Sequence, residues 1–538
     1  MRPQRSLMSI LMRPARLVPS KVALIDVSDH PYCKKPHTYS WSEVSQRVTA
    51  TARFLLKQGL DRSDTVGVLA YNSHHYFELF FAVPTAGARI VPLNYRLGDE
   101  ELKVQVAEAE LSILVSDQRF FERARSLQEK VPSIGRVLST ESEEWEKEVS
   151  TREVDCAIRM NSHNELDLLG DKGGFGFSFS EDELVGIFYT GGASGRAKGV
   201  MLTHRNLYDA TLQICLAMGY NENDIYLHAG PMFHLADAAG SLSCTLLGAT
   251  HVFLPNFNPE GFIDAVNRFG VTTVTMVPTM YRMLLDSASL DIPSMSSLRR
   301  IFYSAAPMPE AMLREIFDVF PCGIGQGYGM TEASSRITVM PPEIYRAVIE
   351  GYDPRRHLLA SAGKEVPGLE VKIMRDDGGI AGPKEIGEIV VSGTVVMKGY
   401  WKRPDLTGQV LEDGWLHTGD LGYLDEEGHL YVVDRLKDMI ITGGENVYSL
   451  EVENVLCSHP EVAEVAVIGV PDELWGERVH AVVVPKSGGR LDVAQLQAYC
   501  RSRIASYKTP KSIEFVDSLP RSAAGKVLKD SLRRRFVP

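Results

Sequence analysis

Cysteine is scarce: the 538 residues hold seven, at Cys33, Cys156, Cys215, Cys244, Cys322, Cys457 and Cys500. They are scattered, odd in number and contain no Cys-x-x-Cys pair. That spacing argues against a disulfide scaffold and against a zinc site; reduced thiols in a cytoplasmic protein are the reading it leaves. No apolar run reaches the roughly 18 residues that a spanning helix needs, so no transmembrane segment is expected. Positive charge is in deficit. The 57 Lys and Arg face 69 Asp and Glu, a formal net charge of −12, which argues against nucleic acid as a general partner. Internal repeats and low-complexity linkers are absent. No Ser-His-Asp or Cys-His nucleophile signature appears either, so a covalent enzyme intermediate is not indicated.

What is present describes a large, multi-lobed chain. Its length exceeds what one compact core accommodates, and 44% apolar with 23% charged residues is ordinary for a globular protein. The opening stretch, MRPQRSLMSILMRPARLVPSK, is rich in Arg and lacks acidic residues. A targeting segment has that composition. An amphipathic opening helix is preferred, because the strand-like VALID (Val22 to Asp26) follows almost at once. Ser40 and Glu43 fit a capping box for a helix from about Ser42.

Strand-like apolar runs then alternate with helical patterns: TVGVLA before the stretch from His74 to Gly87, IVPLN before DEELKVQVAEAE, SILVSD before FFERARSLQEKV. Later pairs are THVFLP with PEGFIDAVNRFG, TTVTMVP with TMYRMLLDS, and RRIFYSA with PEAMLREIF. Strand followed by helix, repeated, predicts α/β architecture with parallel sheets. After about Val366 turn-rich segments separate short strands, which predicts a smaller β-rich unit. After Asp434, AEVAVIGV and RVHAVVVP read as strands and DVAQLQAYCRSRIASY as a helix, enough for a small α+β domain. The expected division is 1–434 and 435–538.

The chemistry-bearing motifs begin with IFYTGGASGRAKGV, Ile187 to Val200. An apolar strand runs into a loop with Gly191, Gly192, Gly195 and Gly199, and with Thr190, Ser194 and Lys198. Glycines let backbone N–H groups approach phosphate oxygens, and the hydroxyls and Lys add donors. Lys198 is followed by Gly199, so the ordinary P-loop spacing is not met. A glycine-rich surface hairpin is the bland alternative.

This stretch resembles the Y-T-S-G-T-T-G-x-P-K-G pattern of the adenylate-forming superfamily, which includes acyl-CoA synthetases, firefly luciferase and peptide-synthetase adenylation domains. The chain departs from it at Gly191, Ala193, Ser194 and Ala197; two missing hydroxyls bear on how tightly and how fast ATP is handled. Further motifs follow in the family's order. PMFH (Pro231 to His234), at a strand-to-helix junction, implies that His234 gates the acyl pocket beside the substrate carboxylate. YSAAPMPE implies an adenine-lining turn at Ala305, Ala306 and Pro307. GQGYGMTE (Gly325 to Glu332) implies that Gln326 and Gly327 border adenine, with Gln326 bonded to its amino group. By the same resemblance Tyr328 packs on the ring, Thr331 touches the α-phosphate, and Glu332 holds Mg²⁺ together with Thr190. GWLHTGD implies that Asp420 binds the ribose hydroxyls. DRLKDMIITGGENVYSLEVE implies ribose contact by Arg435, a hinge at Lys437 and a pantetheine tunnel at Gly443 and Gly444. PRSAAGKVLK implies that Lys526 reaches the carboxylate and α-phosphate. Trp475, Gly476 and Glu477 match another family stretch, near the cofactor.

The resemblance implies a mobile C-terminal domain and an enzyme using ATP, Mg²⁺ and coenzyme A to convert a carboxylic acid, through its acyl-adenylate, to the coenzyme A thioester. Lys198, His234, Thr331, Glu332 and Lys526 are the expected catalytic residues. The small residues of LADAAGS (Leu235 to Ser241), with Tyr303 to Ala306 and Ala333 to Ser335, suggest an acyl pocket. Medium- or long-chain fatty acids lead as substrates, and aryl or short functionalised acids follow. Asp237 either meets a polar substituent or faces water. A peptide-synthetase module is disfavoured because no carrier segment follows Pro538. A carrier-protein-loading ligase, a luciferase, a silent nucleotide-binding protein and a phosphotransferase are the rivals. A homodimer is left open.

Overall fold

The computed structural model describes residues 5–27, 36–149, 158–160, 165–168, 175–178, 180–190, 197–290, 295–306, 308–486, 491–521 and 527–536. Local signals begin the fold as expected. The opening helix Leu7–Leu17 is capped by Ser6 and buries Leu7, Met8, Ile10 and Leu11. Its Leu7 N–H donates to Nδ1 of His204 at 3.3 Å, which ties it to a helix two hundred residues away in sequence. Helix Trp41–Lys57 carries the predicted reciprocal cap: Ser40 N–H donates to Glu43 Oε2 at 2.7 Å, and Glu43 N–H donates to Ser40 Oγ at 3.3 Å. Two of the orphan N–H groups of the helix start are thereby satisfied.

Two large sheets dominate. The seven-stranded sheet runs, edge to edge, through Gly399–Tyr400, Lys198–Thr203, Leu184–Thr190, Arg89–Pro92, Thr65–Leu69, Ile113–Ser116 and Arg136–Ser139. From Leu184–Thr190 onward its strands are parallel. The nine-stranded sheet runs through Lys364–Glu365, Thr338–Met340, Gly323–Tyr328, Arg300–Ser304, Thr273–Met276, Ile225–His228, Thr250–Phe253, Val22–Asp26 and His37–Ser40. The strands from Gly323–Tyr328 to Val22–Asp26 are parallel. Parallel strands need crossovers, and the helices that supply them cover both faces. Hence Thr65–Leu69, Ile113–Ser116 and Thr273–Met276 are buried along their whole length.

An antiparallel sheet follows, Leu369–Met374, Gly387–Gly393, Trp415–Leu424 and Leu411–Glu412, with Leu430–Arg435 paired to the long strand. The remaining five-stranded sheet contains the hairpin Val462–Asp472 and Gly476–Pro485, flanked by helices Ser449–Cys457 and Val493–Arg501. This last part has its own apolar clusters, from Ile440 to Cys500 and from Ala466 to Leu532. The mixed α/β class with large parallel-rich sheets and a separate C-terminal β-rich region matches the expectation.

Two local readings need correction. The helix expected through Tyr507 stops at Arg501 and is followed by a 3-10 turn at Ser506–Lys508; after Cys500 the sequence Arg-Ser-Arg supplies no apolar side chain to hold another turn on the core. A three-stranded antiparallel sheet, Ile158–Met160, Glu165–Leu168 and Phe175–Ser178, has no counterpart in the sequence reading. Among the described residues no helix is long and apolar enough to cross a membrane, and Cys215, Cys244, Cys322, Cys457 and Cys500 are free.

Candidate active site

In parallel α/β sheets, ligands bind outside the carboxyl ends of the strands. Here Ile225–His228 leads to His234, Arg300–Ser304 to Ala305, and Gly323–Tyr328 to Thr331 and Glu332. Three motifs separated by about a hundred residues are thus brought to one edge of one sheet.

The strands that flank residues 191–196 belong to the neighbouring sheet. Leu184–Thr190 and Lys198–Thr203 form an antiparallel hairpin in which Thr190 pairs with Lys198. Gly191, Gly192, Ser194 and Gly195 lie outside the described residues. Gly199 has a packing reason: a Cβ there would sit 2.7 Å from Ile187 Cγ2 across the hairpin. The short strand Gly399–Tyr400 pairs with the outer side of the hairpin, Val200 opposite Tyr400, and this register places a residue the sequence reading missed. The Tyr400 ring lies 4.9 Å from Lys198 Nζ, and its hydroxyl donates to Glu332 Oε1 at 2.8 Å. Burial and the adjacent Glu332 hold the Tyr400 phenol far above its usual range, so it stays protonated and donates. Glu332 is itself buried, and its carbonyl accepts from Met397 N–H at 2.8 Å. The only sequence signal for Tyr400 is an aromatic pair after a glycine in KGYW.

A second chain of contacts continues from the same strand. Tyr328 donates to Asp420 Oδ2 at 2.8 Å, and Arg435 Nε stands 3.3 Å from Asp420 Oδ1. Asp420 and Arg435 are directly opposed on antiparallel strands, so backbone register alone sets this pair. Burial and Asp420 together keep the Tyr328 phenol protonated. Each carboxylate oxygen of Asp420 retains lone-pair capacity for a vicinal diol.

Gln326 Oε1 lies 2.9 Å from the Tyr303 hydroxyl and 2.6 Å from the Tyr345 hydroxyl. The Tyr345 hydroxyl also stands 3.1 Å from the Ser361 carbonyl and 3.0 Å from the Tyr303 hydroxyl, and each phenol has one proton to share among these acceptors. Gly327 pairs with Ser304 in the same sheet. Ala305, at the position the family fills with glycine, has φ 72°, a left-handed conformation that costs a residue with a Cβ roughly 1 kcal/mol. Ala305 and Ala306 are exposed, while Pro307 lies outside the described residues.

His234 occupies the N-cap position of helix Leu235–Leu247, with its ring centroid 4.5 Å from that of Phe233. PMFH therefore lies in the connection after a strand that already ends at His228, not at the strand end itself. Thr331 opens a 3-10 turn with Glu332. Asp237 neither faces water nor stands free for a substituent. It is 3% exposed, lies 2.7 Å from His228 Nδ1 and accepts from Tyr226 at 3.2 Å. The network continues from His228 to His251 and on to Thr245. Burial and the neighbouring His228 push the His251 pKa well down, keeping that imidazole neutral.

In the C-terminal part, Lys437 lies in a 3-10 turn and pairs with Asp530 at 3.3 Å. Gly443 and Gly444 form the two-residue turn between Ile440–Thr442 and Glu445–Val447, with φ 61° and 85°. Such hairpin turns select glycine for their positive φ, and a Cβ on Gly443 would also approach Trp475 Cε3 to 2.8 Å. Lys526 lies outside the described residues.

A cavity of about 690 Å³ lined by His37, Tyr39, His74 and His75 opens at the other edge of the nine-stranded sheet. Its edge strand is six strands from Gly323–Tyr328, roughly 29 Å at ~4.8 Å per strand. The His74, His75 and Glu78 trio near it is engaged elsewhere: His74 bonds Asp26 at 2.5 Å, and Glu78 pairs with Arg47 through both oxygens.

Lys198, Tyr400 and Glu332 are thus joined by one set of contacts, and Tyr328, Asp420 and Arg435 by another. The AMP-binding enzyme family matches residues 11–401, and the AMP-binding enzyme C-terminal domain matches residues 451–526. This chain belongs to the AMP-binding enzyme family. A feruloyl-CoA synthase from Amycolatopsis sp is 38% identical over 501 residues, 92% of this chain and 94% of that protein. A 2-succinylbenzoate–CoA ligase from Geobacillus kaustophilus is 35% identical over 525 residues, 97% of each. Among solved structures, the o-succinylbenzoate coenzyme A synthetase of Bacillus subtilis in complex with ATP and magnesium superposes with a TM-score of 0.81 at 31% identity, covering 98% of this chain and 99% of that one. Family membership supports acid–CoA ligation as the general activity, while the relatives' names specify different acids.

Proposed function

We propose that this protein is an ATP-dependent, AMP-forming acid–thiol ligase: it activates a carboxylic acid as its acyl-adenylate, releases pyrophosphate, and passes the acyl group to coenzyme A. The observation that carries the reading is the pair of contact sets Lys198–Tyr400–Glu332 and Tyr328–Asp420–Arg435, joined by the short segment from Tyr328 to Glu332. Cation, carboxylate and diol receptor are the three groups a nucleotide triphosphate with its metal requires.

A carboxylate acylates poorly because oxide is a poor leaving group; linkage to AMP supplies a good one. The first step brings anions together, so fixed positive charge and donors at Lys198, His234 and Lys526 offset the repulsion. Asp420 and Arg435 hold the ribose, Tyr328 the ring side, and Thr331 the α-phosphate. Glu332 Oε2 has no hydrogen-bond partner among the described residues, which leaves one hard oxygen for Mg²⁺ alongside Thr190. The metal supplies charge neutralisation at the phosphate oxygens. In this reading residues 1–434 form the nucleotide-binding domain. Residues 435–538 turn about Lys437, presenting Lys526 for the first step and the Gly443–Gly444 turn for the second. Trp475, Gly476 and Glu477 lie beside that turn. A cytoplasmic setting, consistent with the free thiols, belongs to the same reading.

Medium- and long-chain fatty acids enter as candidate substrates beside aromatic acids of the feruloyl and succinylbenzoyl kind. The test is a panel of such acids with ATP, Mg²⁺ and free coenzyme A, scored for AMP, pyrophosphate and thioester. Acid-dependent AMP and thioester support the reading. Acyl-adenylate without thioester favours loading of a carrier protein, ADP favours a phosphotransferase, and nucleotide binding with no turnover favours a silent binder.

A further inference from the structure

One buried cation near the candidate site has no ion-pair partner among the described residues. Arg336 follows Ser334 and Ser335, whose φ values of 55° and 119° reverse the chain after the Thr331–Ala333 turn. Ile337 N–H then donates to the Tyr328 carbonyl at 2.8 Å. The reversal lays the Arg336 side chain back over Gly327, where an added Cβ would stand 2.5 Å from Arg336 Nε. Gly327 lies between Gln326 and Tyr328, so the guanidinium abuts the strand that carries the nucleotide residues.

Arg336 is 6% exposed. Its one hydrogen bond is a long one, Nη1 to Ser335 Oγ at 3.5 Å, and Nε has none. No acidic residue among the described ones ion-pairs with it. The ionisable groups facing it are the phenols of Tyr220 and Tyr226, which burial keeps neutral. Asp237, on the facing helix, is engaged by His228 and Tyr226.

The surroundings share the same deficit. Thr275, Phe302, Gly325 and, two residues on, Ser304 and Gly327 are in register across adjacent parallel strands, so their side-chain directions lie on one face of the sheet. On that face the Ser304 hydroxyl is buried without a partner among the described residues, while the Thr275 hydroxyl stands beside the Tyr220 and Tyr226 phenols. Glycine at 325 and 327 makes room for the Phe302 ring and the Arg336 side chain. The result is a buried face on which Arg336 Nε and the Ser304 hydroxyl lack acceptors among the described residues. Arginine cannot shed its proton, and an unpaired buried charge is costly. Its planar fork matches a carboxylate through two parallel hydrogen bonds.

We infer that the acid taken by this enzyme is dicarboxylic: one carboxylate is activated at the nucleotide, and the second is received by Arg336 with hydroxyl donors from Tyr220, Thr275 or Ser304. The inference rests on the ligase reading and narrows its substrate class.

The experiment compares matched acids, suberic with octanoic and terephthalic with 4-methylbenzoic, in the wild-type, Arg336→Met and Arg336→Lys enzymes with ATP, Mg²⁺ and coenzyme A. The diacids are expected to exceed their monoacid partners at least about 100-fold in kcat/KM, chiefly through KM. Arg336→Met is expected to remove that preference while monoacid turnover holds or rises, and Arg336→Lys to restore part of it. The ligand-free Arg336→Met protein is expected to melt higher than wild type, because an apolar side chain replaces a lone buried charge. Monoacids equal to diacids in the wild type, equal loss for both classes in Arg336→Met, or a lower melting temperature in both variants would each overturn the inference and leave the ligase reading intact. If no acid yields thioester, the ligase reading falls. Thermal shift then decides the inference: with AMP present, suberic acid must stabilise the wild type and not Arg336→Met, and its failure to do so refutes the site.

Discussion

Replacing Tyr400 by Phe removes one hydroxyl and leaves the ring. That hydroxyl donates at 2.8 Å to a carboxylate, Glu332, that is 7% exposed. The ring stays in place against Lys198, so the cation contact is kept. A hydrogen bond to a charged group contributes ~1.5–3 kcal/mol, and water reaching the cleft side of Glu332 offsets part of it. A net loss of about 1–2 kcal/mol is expected, which corresponds to roughly 5–30-fold in an equilibrium or rate. Because Tyr400 orients the carboxylate proposed to hold Mg²⁺, the loss should appear in the Mg²⁺ dependence of the first half-reaction. The assay is acid-dependent pyrophosphate release across an Mg²⁺ titration at saturating acid, with the melting temperature measured in parallel. The Tyr400→Phe enzyme should need more Mg²⁺ for half-maximal rate and regain most of its activity when Mg²⁺ is high. An unchanged Mg²⁺ curve with a lowered melting temperature would reduce Tyr400 to a packing residue and remove this support for a cation at Glu332.

Asp237→Ala should destabilise the protein by about 2–4 kcal/mol, since it orphans a buried imidazole and a buried phenol together; urea unfolding measures it, and an unaffected midpoint would contradict the buried network. His204, held down to about 4 by burial, should make stability fall with acid. Its unfolded form binds a proton below about pH 6.5 and its folded form does not, so stability is fully present above pH 6.5 and is lost at about 1.4 kcal/mol per pH unit down to the folded pKa. His204→Asn keeps an acceptor for the Leu7 N–H and should flatten that slope in urea midpoints taken at pH 7, 6 and 5. Lys526→Ala should lose acid-dependent pyrophosphate release yet still convert supplied acyl-adenylate to thioester; equal loss of both half-reactions would refute the two-position assignment.

Much of the site was legible because its residues sit on strong local signals. Glycine runs, the Gly-Tyr-Gly-Met-Thr-Glu turn and the terminal Asp of GWLHTGD each carry their chemistry within a few residues. What stayed hidden lies at positions where sequence context is bland. Tyr400 is a strand-edge aromatic until the pairing of Val200 with Tyr400 carries it to Glu332. Tyr303 is expected in the acyl pocket and Tyr345 carries no signal of its own, yet the two meet at Gln326. Asp237 reads as meeting either water or a polar substituent until His228 arrives from a neighbouring strand.

The sequence alone determined the α/β class, the helix caps, the order of the motifs and the residue types proposed to meet phosphate, metal and ribose, because periodicity, capping and turn chemistry act over a few residues. Tertiary structure alone decided which of those side chains are already engaged and which are left wanting. The phenols at Gln326, the occupation of Asp237 and the lack of an ion-pair partner for Arg336 among the described residues follow from strand register and chain reversal, which set distances between residues far apart along the chain and leave no local trace.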